Sequence, residues 1–502
     1  MPLTSPARSD RSFRLPDLAE LLVSGGDARL ELDSVHGLNK YGCPATPDAG
    51  LLAFGSSTAS AISPEAFAAV AQMHDRIERR LIIESAPQVY ASVLQRMRQE
   101  LLTLCVGNAG QGAELIFAGS GTDLHRIAGR LCSSGHDGFP VASMAMTVEV
   151  SETGSGVPAA LQDCGLELLE ISVRAADSSV RSCEEIDAEV EQHVGAAVAD
   201  GRGVLVVQAD VSKSGMIAPS PACVLRLHER YGDACRVLVD GCQLRLAPAT
   251  VRAYLQAGIP VMLTGSKFMG GPVFSGAMLV PSGLARSMRR IALPGGSLPN
   301  SLRAEWPEGW EAAGPLPDAA NFGLLLRWEA ALHEMRAFYA VEEARVTRFL
   351  RAFAAMVAER VRQSPLIEPL QQPVPDRRPL AEDGWDVIPS IFPLLFRHAD
   401  GRWLSRAETR QIYRWLQADL SDRDAFRSNA DERRLAAIRG QLGQPVACGE
   451  RDGVEVSALR LCVGARMVAE AERPNGAKKV LDQAGLLLAK AEWLVFRMRD
   501  LA

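Results

Sequence analysis

The sequence predicts an α/β protein with two parts: a large domain, in which a mainly parallel sheet lies between helices, and a smaller α+β C-terminal domain. Two observations support this fold class. Short apolar runs alternate with helical stretches from residue 114 to residue 281, as in parallel sheets that are covered on both faces. After residue 290 the alternation ends, and a loop region is followed by a long helical stretch. This change marks the boundary between the two domains.

The first segment, residues 1–62, is expected to form an arm and a substrate-side segment without regular structure. Residues 1–12 are polar and unpatterned, so we expect a mobile arm there. Residues 37–50 are rich in turn-forming residues. Helical periodicity begins at Ser63, where the sequence Ser-Pro-Glu is typical of an N-cap and a first turn. The large domain is therefore predicted to begin at residue 63.

A series of apolar runs predicts the strands of the large domain, residues 63–300. The runs lie in 114–123, 140–150, 166–173, 203–210, 236–242, 259–267 and 276–281, and the last is expected to run back along the sheet. Ligands of such sheets bind beyond the carboxyl ends of the strands. The polar segments GSGTD, QAD, VDGCQ and TGSK all fall at such ends, which predicts a binding site there.

The remaining part, residues 301–502, is predicted to contain a linker helix and the small C-terminal domain. A loop region at 294–317 precedes one long helical stretch, residues 321–361. A proline-rich break at 364–379 then leads into the α+β segment. This segment ends in a helix that begins at about Gly476.

Composition and charge exclude several classes of protein. Of the 502 residues 47% are hydrophobic, and 54 Lys and Arg against 60 Asp and Glu give a formal charge of −6, which argues against a nucleic-acid or anionic-membrane binder. No apolar run is long enough for a membrane span, and the first residues lack the apolar middle of a secretory signal, so we expect a cytoplasmic protein. The 10 cysteines form no CxxC pair and the 8 histidines no HxxxH pair, which disfavours a disulfide scaffold and a metal site.

One constellation of residues carries specific chemistry. Asp240 ends one apolar strand, Lys267 follows another, and Ser120, Gly121 and Thr122 lie in a glycine-rich turn that opens a helix. Pyridoxal 5′-phosphate (PLP) requires these three features: a lysine amine for a Schiff base, an acid for its pyridine nitrogen, and N–H and hydroxyl donors for its phosphate. Each feature alone is more commonly a cap, a solvated lysine or a plain helix start. The prediction therefore depends on their combination.

These segments resemble a known family. GSGTD at 119–123, VDGCQ at 239–243 and GSKFMGGPVFSGAMLV at 265–280 are similar to the fold type I PLP enzymes, in the branch of class V aminotransferases and cysteine desulfurases. The resemblance covers roughly residues 60–300 well and the C-terminal domain loosely. It implies a PLP-dependent transferase fold of the aspartate aminotransferase type. It also implies PLP as the cofactor, an amino-acid substrate, and a homodimer with the active site at its interface.

The resemblance also implies roles for individual residues. Lys267 would form the Schiff base and move the proton at Cα, and Asp240 would pair with the pyridine nitrogen. Gln243 would bind the phenolic oxygen. The residues implied at the phosphate are Ser120, Gly121, Thr122, Ser266 and, from the partner subunit, Ser297. Arg460 would clamp the substrate α-carboxylate, with Arg466 as the alternative. Asn39, Tyr41, Ser56 and Ser57 have the position in the chain expected of substrate-side residues, and are otherwise turn and capping groups.

The chain departs from the family pattern at the ring-facing segment. The family places a histidine or another aromatic residue there, whereas this chain has VSETGSGVP at 150–158, so Glu152 or Thr153 would take that place. The asparagine of the desulfurase branch is replaced by QADVSKSG at 208–215. Asp210 or Ser212 would lie in that neighbourhood, with Lys213 expected to be a loop lysine.

Three readings of function follow. The first is a PLP-dependent, class V aminotransferase-like transferase or lyase that acts on the α-amino group of an amino acid. The second is a cysteine desulfurase or C–S lyase, although Cys448 is expected to be an ordinary free thiol and Cys242 a packing residue. The third is a non-catalytic binding module with the same fold. A G-x-G-x-x-A pattern at 153–159, with Glu170 further on, also raises a dinucleotide site, but that site would leave Asp240 and Lys267 unexplained.

Overall fold

The structure, a computed structural model, describes residues 14–107, 112–134, 141–423 and 429–501. The arm predicted for residues 1–12 lies outside the described residues. Within them, no helix is both long enough and apolar enough to cross a membrane. The described residues form two sheets, and each is built mostly from one half of the sequence.

The strands follow the apolar runs of the sequence closely. They are β1 (Leu51–Phe54), β2 (Ala113–Ala118), β3 (Ala142–Val148), β4 (Glu167–Ile171), β5 (Gly203–Asp210), β6 (Ile217–Ala218), β7 (Cys235–Asp240), β8 (Val261–Thr264), β9 (Gly276–Pro281), β10 (Ile367–Pro369), β11 (Ile391–Phe396), β12 (Arg439–Arg451) and β13 (Val454–Cys462). The large sheet has the order β2-β9-β8-β7-β5-β3-β4, with the short β6 beside β5. Strand β9 is antiparallel to both of its neighbours, which confirms that this strand runs back along the sheet.

Helices pack against both sheets. They are α1 (Leu18–Leu22), α2 (Pro64–Leu81), α3 (Ala86–Val106), α4 (Gly121–Ser133), α5 (Val157–Gln162), α6 (Cys183–Ala199), α7 (Pro221–Tyr231), α8 (Pro248–Gln256), α9 (Ser282–Met288), α10 (Phe322–Tyr339), α11 (Glu343–Gln363), α12 (Arg406–Gln417), α13 (Ala430–Ala437), α14 (Ala465–Ala471), α15 (Gly476–Phe496) and α16 (Met498–Leu501). Helix α2 begins where Ser63 accepts a hydrogen bond from the Ala66 amide, as the sequence predicts.

Strand β5 shows why its sequence is continuously apolar. All of its residues are buried. Val204 and Val206 belong to the core cluster on one face of the sheet, and Leu205 and Val207 belong to the cluster on the other face. Successive side chains of a strand point to opposite faces, so a strand with helices on both sides needs apolar residues at every position. The prediction of a doubly covered, mainly parallel sheet is confirmed.

Two expectations about individual elements were wrong. The segment before Ser63 is not without regular structure, because it contains α1 and β1, and β1 pairs in parallel with β12 of the C-terminal sheet. That sheet has the order β1-β12-β13-β11-β10. The predicted single helical stretch at 321–361 is two helices, α10 and α11, separated at residues 340–342. Helix α10 is buried on nearly all sides whereas α11 buries one face, so the two pack differently.

The N-terminal segment is bound to α2 and to the first part of α10 before it reaches the site. The Leu15 amide donates to Glu78 of α2, and Asn321 and Arg327 donate to the carbonyls of Gly25 and Ser24 at 2.8 and 2.6 Å. These contacts fix the course of the chain that leads to Arg29.

Candidate active site

A cavity lies at the carboxyl ends of the central strands and collects most of the residues that the sequence singles out. Its lining includes Tyr41, Ser120, Gly121, Thr122, Asp240, Gln243, Ser266 and Lys267. They come from the N-terminal segment and from the ends of β2, β7 and β8. Parallel strands bring their carboxyl ends to one edge of the sheet, and that edge is where open α/β sheets bind ligands.

Lys267 lies just beyond β8, and its amine faces the backbone of the N-terminal segment. Nζ donates to the Thr58 carbonyl at 2.6 Å and to the Ser57 carbonyl at 3.4 Å. Burial lowers the pKa of Lys267 to about 8, and the nearby cations Arg460 and Lys213 act in the same direction. A larger fraction of this amine is therefore unprotonated near neutral pH than in an ordinary lysine, as a nucleophilic lysine requires.

Asp240 ends β7 and is held as a carboxylate. Burial works against its ionisation, but contacts with His125 and Cys242 outweigh burial, and the pKa of the carboxyl is lowered. Oδ1 accepts a hydrogen bond from the Cys242 amide at 3.0 Å, and Oδ2 lies 3.4 Å from His125 Nε2. The side chain is 13% exposed, and it lines the cavity. It therefore offers a negative charge to a cationic group there.

His125 is a site residue that the sequence analysis missed. It lies in the second turn of α4, with Nδ1 2.7 Å from the Gly121 carbonyl. Because a carbonyl accepts hydrogen bonds, Nδ1 must carry a hydrogen. Nε2, on the other side of the ring, faces the Asp240 carboxylate at 3.4 Å. A histidine in a helical run gives no sequence signal for this contact, since Asp240 lies on a distant strand.

The first turn of α4 is built as an anion site. Ser120 is the N-cap, and its hydroxyl accepts from the Asp123 amide at 3.3 Å. The amides of Gly121 and Thr122 open the helix and have no acceptor within it. A Cβ on Gly121 would lie 3.0 Å from Cys242 Sγ, so a glycine lets the turn approach the VDGCQ loop closely. Helix N-termini of this kind bind phosphate and carboxylate groups.

Three buried polar atoms of residues that line the cavity have no hydrogen-bond partner within the described part of the chain: Gln243 Oε1, Thr153 Oγ1 and His125 Nε2. Gln243 donates from Nε2 to the Ser57 carbonyl at 3.1 Å. Ser266 donates to Thr264 Oγ1 at 3.4 Å. Buried polar atoms normally have partners, so this wall is suited to a polar ligand.

Residues 150–156 form a turn that leads into α5, so Glu152 is not part of a helix. Glu152 is buried, and it accepts hydrogen bonds from the Ser212 hydroxyl at 2.7 Å, the Ser214 amide at 2.9 Å and the Ser214 hydroxyl at 2.6 Å. Arg174 Nε lies 3.9 Å away. The Glu152 carboxylate therefore holds the loop after β5 in place. Thr153, the next residue, lines the cavity.

The loop after β5 corrects two expectations. Asp210 does not reach the cavity, because its carboxylate is buried against Arg377 at 2.7 Å and Tyr254 at 2.8 Å. Lys213 is not an ordinary loop lysine. It lines the cavity with Ser212 and donates to the Val150 carbonyl at 3.2 Å. Burial, followed by the neighbouring Arg460, lowers the pKa of Lys213 to about 8.

The substrate-side residues separate into two groups. Tyr41 lines the cavity, as does Thr58, which the sequence did not single out. Asn39 lies in a turn instead, where Oδ1 accepts from the Tyr41 amide at 2.9 Å and the Cys43 amide at 3.1 Å. Ser57 contributes its carbonyl to Lys267, while its hydroxyl accepts a contact from Cys462. Ser56 accepts from Arg245.

Arg460 lies behind the cavity wall. It is 2% exposed, and its guanidinium donates to Thr58 Oγ1 at 2.8 Å, the Gln444 carbonyl at 2.7 Å and the Lys213 carbonyl at 3.3 Å. It thereby joins the small-domain sheet to both loops of the site. Arg466 pairs with Glu334 at 3.0 Å, outside the cavity lining.

Ser297 and Cys448 lie outside the cavity lining, whereas Cys242 belongs to it. The Ser297 hydroxyl donates to the Pro294 carbonyl at 2.7 Å, on a surface loop. Cys448 is buried in β12, and burial raises its pKa to about 11. Burial and the adjacent Asp240 raise the pKa of Cys242 well above its ordinary value, so this thiol is neutral in the wall.

No protein-family model and no curated protein matches this chain, but solved structures do. It is similar to the cystine C-S lyase C-DES in complex with its reaction product cysteine persulfide, at 14% identity and a TM-score of 0.53 over 87% of this chain and 98% of that chain. It is also similar to a phosphoserine aminotransferase from Cytophaga hutchinsonii, at 11% identity and 0.52 over 87% and 98%.

A third similar structure is a ureidoglycine-glyoxylate aminotransferase from Bacillus subtilis, at 12% identity and a TM-score of 0.50 over 88% of this chain and 94% of that chain. A variant of the C-DES lyase, similar at 14% identity and 0.52 over 88% and 99%, carries glycine covalently linked to its PLP cofactor. At these identities the likeness establishes the fold. The chain has the PLP-dependent transferase fold, which is the fold class that the sequence predicts.

Proposed function

We propose that this protein is a PLP-dependent enzyme, a class V aminotransferase-like transferase or lyase that acts on the α-amino group of an amino acid. One observation supports the proposal above the others. Lys267, Asp240 and the first turn of α4 come from separate strand ends, yet all line one cavity. A structural salt bridge or a helix cap would not need the three together. The known structures of the same fold are consistent with this reading.

The chemistry of the donors fits PLP. The phosphate matches the amides and hydroxyls of Ser120, Gly121 and Thr122. A protonated pyridine nitrogen matches the Asp240 carboxylate, which the His125 contact keeps ionised. The phenolic oxygen can accept from Gln243 Nε2, which has a second hydrogen besides the one that it donates to the Ser57 carbonyl. The aldehyde matches the Lys267 amine.

When bound, PLP supplies an aldehyde that condenses with amines and a protonated ring that accepts the electron pair of a carbanion. The residues of the chain have separate tasks around it. The low pKa of Lys267, about 8, provides an amine that can attack and later accept or return the proton at Cα. The Thr58 carbonyl, 2.6 Å from Nζ, orients that amine.

The substrate side of the cavity is polar and cationic. We propose that Arg460, from behind the cavity wall, acts on the substrate α-carboxylate through Lys213 and Thr58, the two lining residues to which it donates. Tyr41 would complete that wall, with Ser57 acting through its carbonyl. We also propose a cytoplasmic homodimer in which Ser297 of one chain approaches the phosphate of the other. This last proposal is supported by the position of Ser297 on a surface loop.

A carbon–sulfur lyase is the second candidate, since a C-S lyase is among the similar structures. Desulfuration through Cys448 is disfavoured, because that thiol is buried in a strand and its pKa is raised to about 11. A persulfide-forming thiol needs exposure and a thiolate. If Cys448→Ala abolished sulfur release from cysteine, this argument would be wrong.

The test of the proposed function is the visible absorption spectrum of the purified full-length protein with added PLP. In the wild type we expect an absorption band at a longer wavelength than that of free PLP. This band should be absent in Lys267→Ala. The control is Lys479→Ala, an exposed lysine paired with Glu470. Borohydride reduction followed by peptide mapping should place the cofactor on Lys267. A wild-type protein that neither binds PLP nor is labelled at Lys267 would refute the proposal.

A panel of single amino acids then distinguishes the reaction classes. An amino acid that changes the spectrum identifies the substrate class, and the products identify transfer or elimination. A protein that holds PLP on Lys267 but responds to no amino acid would favour the non-catalytic binding module.

A further inference from the structure

Arg29, which is absent from the sequence-based predictions, lies at the anion site of α4. Its Nη2 donates to Ser120 Oγ at 3.2 Å and its Nη1 to Thr122 Oγ1 at 3.4 Å. Both hydroxyls belong to the turn that opens the helix. Arg29 also lines the cavity that contains Lys267 and Asp240. A guanidinium therefore contacts the hydroxyls of the turn whose amides would hold a phosphate.

The side chain of Arg29 is held in place on several sides. Asp27 accepts from Nε and Nη2 at 2.7 to 3.0 Å, and the ring of Phe274 lies 4.6 Å from the guanidinium carbon. The next residue, Leu30, is 2% exposed in a cluster with Phe274. Arg29 itself is 23% exposed. These contacts distinguish it from a mobile surface arginine.

Phe274 supports this placement through its own backbone. It has a φ of +70°, a region that a bulky residue rarely adopts. Its carbonyl accepts from the buried Arg327 at 2.9 Å. The buried Arg327 of α10 thus holds this backbone conformation, which presents the ring to the guanidinium of Arg29.

A positive charge near this turn would favour the binding of a phosphate. Asp123 lies in the same turn, where it accepts from Ser120 Oγ at 2.7 Å, and its charge would oppose a phosphate dianion. Among the described residues that line the cavity, the amines of the two lysines do not face this turn. Lys267 faces the Thr58 carbonyl and Lys213 the Val150 carbonyl.

We propose that Arg29 binds the 5′-phosphate of PLP together with the first turn of α4. The N-terminal segment thus supplies, within the same chain, a cation for the cofactor phosphate. This inference rests on the proposed function, since it names PLP as the ligand. It assigns to residues 27–30 a role in selecting the phosphorylated cofactor over pyridoxal, which lacks the phosphate. A guanidinium fork suits a phosphate because it can donate two parallel hydrogen bonds.

The test measures the dissociation constants of PLP and of pyridoxal for the full-length apoprotein, by absorbance and by quenching of intrinsic fluorescence. For Arg29→Gln we expect the PLP constant to rise about 10-fold to 100-fold, the range for a lost charged hydrogen bond. The pyridoxal constant should stay unchanged. The matched control is Arg378→Gln, because Arg378 makes the same bidentate contact with an aspartate two residues before it, but with 70% exposure.

Inorganic phosphate gives a second readout that does not involve Lys267. Phosphate should compete with PLP in the wild type and in Arg378→Gln, and much less in Arg29→Gln. If Arg29→Gln lowers the melting temperature of the apoprotein, Arg29→Lys replaces it. A lysine keeps the positive charge but cannot donate two parallel hydrogen bonds. The dissociation constant of PLP for Arg29→Lys should therefore lie between those for the wild type and Arg29→Gln.

Each result decides for or against the inference. An equal loss of affinity for PLP and pyridoxal would assign Arg29 a merely structural role. An unchanged PLP constant in Arg29→Gln would also overturn the inference while leaving the proposed function intact. A wild-type protein that binds neither ligand would overturn the proposed function and this inference with it.

Discussion

Lys267 is one of two half-buried lysines at the cavity, and each influences the other. Lys213 is among the cations that lower the pKa of Lys267, after burial and Arg460. A neighbouring positive charge disfavours the protonated amine. The second lysine therefore helps to keep the first in the form that attacks an aldehyde.

Replacing Lys213 by methionine should raise the pKa of Lys267, because a positive charge is removed while the apolar stem is kept. We expect the pH midpoint for attachment of PLP to Lys267 to move up by roughly half a unit to one unit. It should stay below that of a free lysine, since burial is the larger cause. The absorbance of bound PLP measured from pH 6 to pH 10 gives the midpoint.

Lys479→Met provides the control for this measurement, because Lys479 is exposed on the surface. A Lys213→Met protein that binds PLP with an unchanged midpoint would show that the two amines do not interact.

Glu305 is a buried carboxyl outside the cavity with a strongly perturbed pKa. Burial raises the pKa of Glu305 to about 8. It accepts from the Tyr90 hydroxyl at 3.1 Å and from the Leu302 amide at 2.9 Å. The folded protein therefore holds a proton that the unfolded chain releases near its ordinary value of 4.5.

The free energy of unfolding should fall as the pH rises from about 4.5 to 8, because the folded state binds more protons than the unfolded state in this window. One such group changes this free energy by at most about 1.4 kcal/mol per pH unit. Glu305→Gln should flatten the decline, since a neutral amide cannot titrate. Denaturant unfolding at pH 5, 6.5 and 8 measures the slopes.

The exposed Glu308 supplies the control, Glu308→Gln, which should keep the wild-type slope. Equal slopes for the wild type and Glu305→Gln would contradict the assignment of this proton to Glu305.

At the scale of the residue, the sequence identified those site residues that come at or just after the end of a predicted strand. Asp240, Gln243 and Lys267 stand directly after apolar runs, so their place at the sheet edge could be predicted. Arg29 and His125 could not be. Arg29 contacts Thr122 across 93 positions of the chain, and nothing in its local sequence marks that contact.

At the scale of the element, the C-terminal ends of α12 and α13 both contact one buried lysine. Lys490 of α15 is buried, and Nζ donates to the carbonyls of Leu416, Ala418, Ala436 and Ile438. These carbonyls belong to the last turns and C-caps of the two helices. A cation at a helix C-terminus satisfies carbonyls that lack intrahelical donors.

Lys490→Met should therefore destabilise the small domain although methionine matches the stem of lysine in length. Several buried carbonyls would lose their donor, and we expect a loss of about 3 kcal/mol in the free energy of unfolding. Denaturant unfolding followed by circular dichroism measures it. Lys479→Met, on the exposed side of the same helix, should have almost no effect, and an equal loss in both variants would refute the capping role.

The elements also show where sequence patterns are sufficient. The strands of the large sheet were predictable because each is an apolar run bounded by turn residues. Strand β1 was not, since its four residues Leu51–Phe54 pair with a strand that begins at Arg439. Short strands with distant partners carry little local signal. The division between α10 and α11 was also missed, since no proline or glycine marks it.

At the scale of the whole molecule, the N-terminal segment joins both sheets to the cavity. It contributes Arg29 and Tyr41 to the cavity lining, and β1 to the small-domain sheet. Ser57 and Thr58, whose carbonyls accept from Lys267, follow the end of β1 by three and four residues. The packing of the small domain and the orientation of Lys267 are therefore connected through only a few residues.

Phe54 tests this connection. It ends β1, is 1% exposed, and stacks on Phe353 of α11 with ring centroids 6.2 Å apart. Phe54→Ala should reduce the free energy of unfolding by about 3–5 kcal/mol through the cavity it leaves. It should also weaken PLP attachment to the protein that remains folded, because the carbonyls of Ser57 and Thr58 lose their fixed position. Phe496→Ala, at a phenylalanine that is 66% exposed, should do neither.

Stability is measured by denaturant unfolding and attachment by PLP titration at low temperature, where Phe54→Ala is still folded. A variant that loses stability but binds PLP as tightly as the wild type would show that the small-domain core and Lys267 are independent.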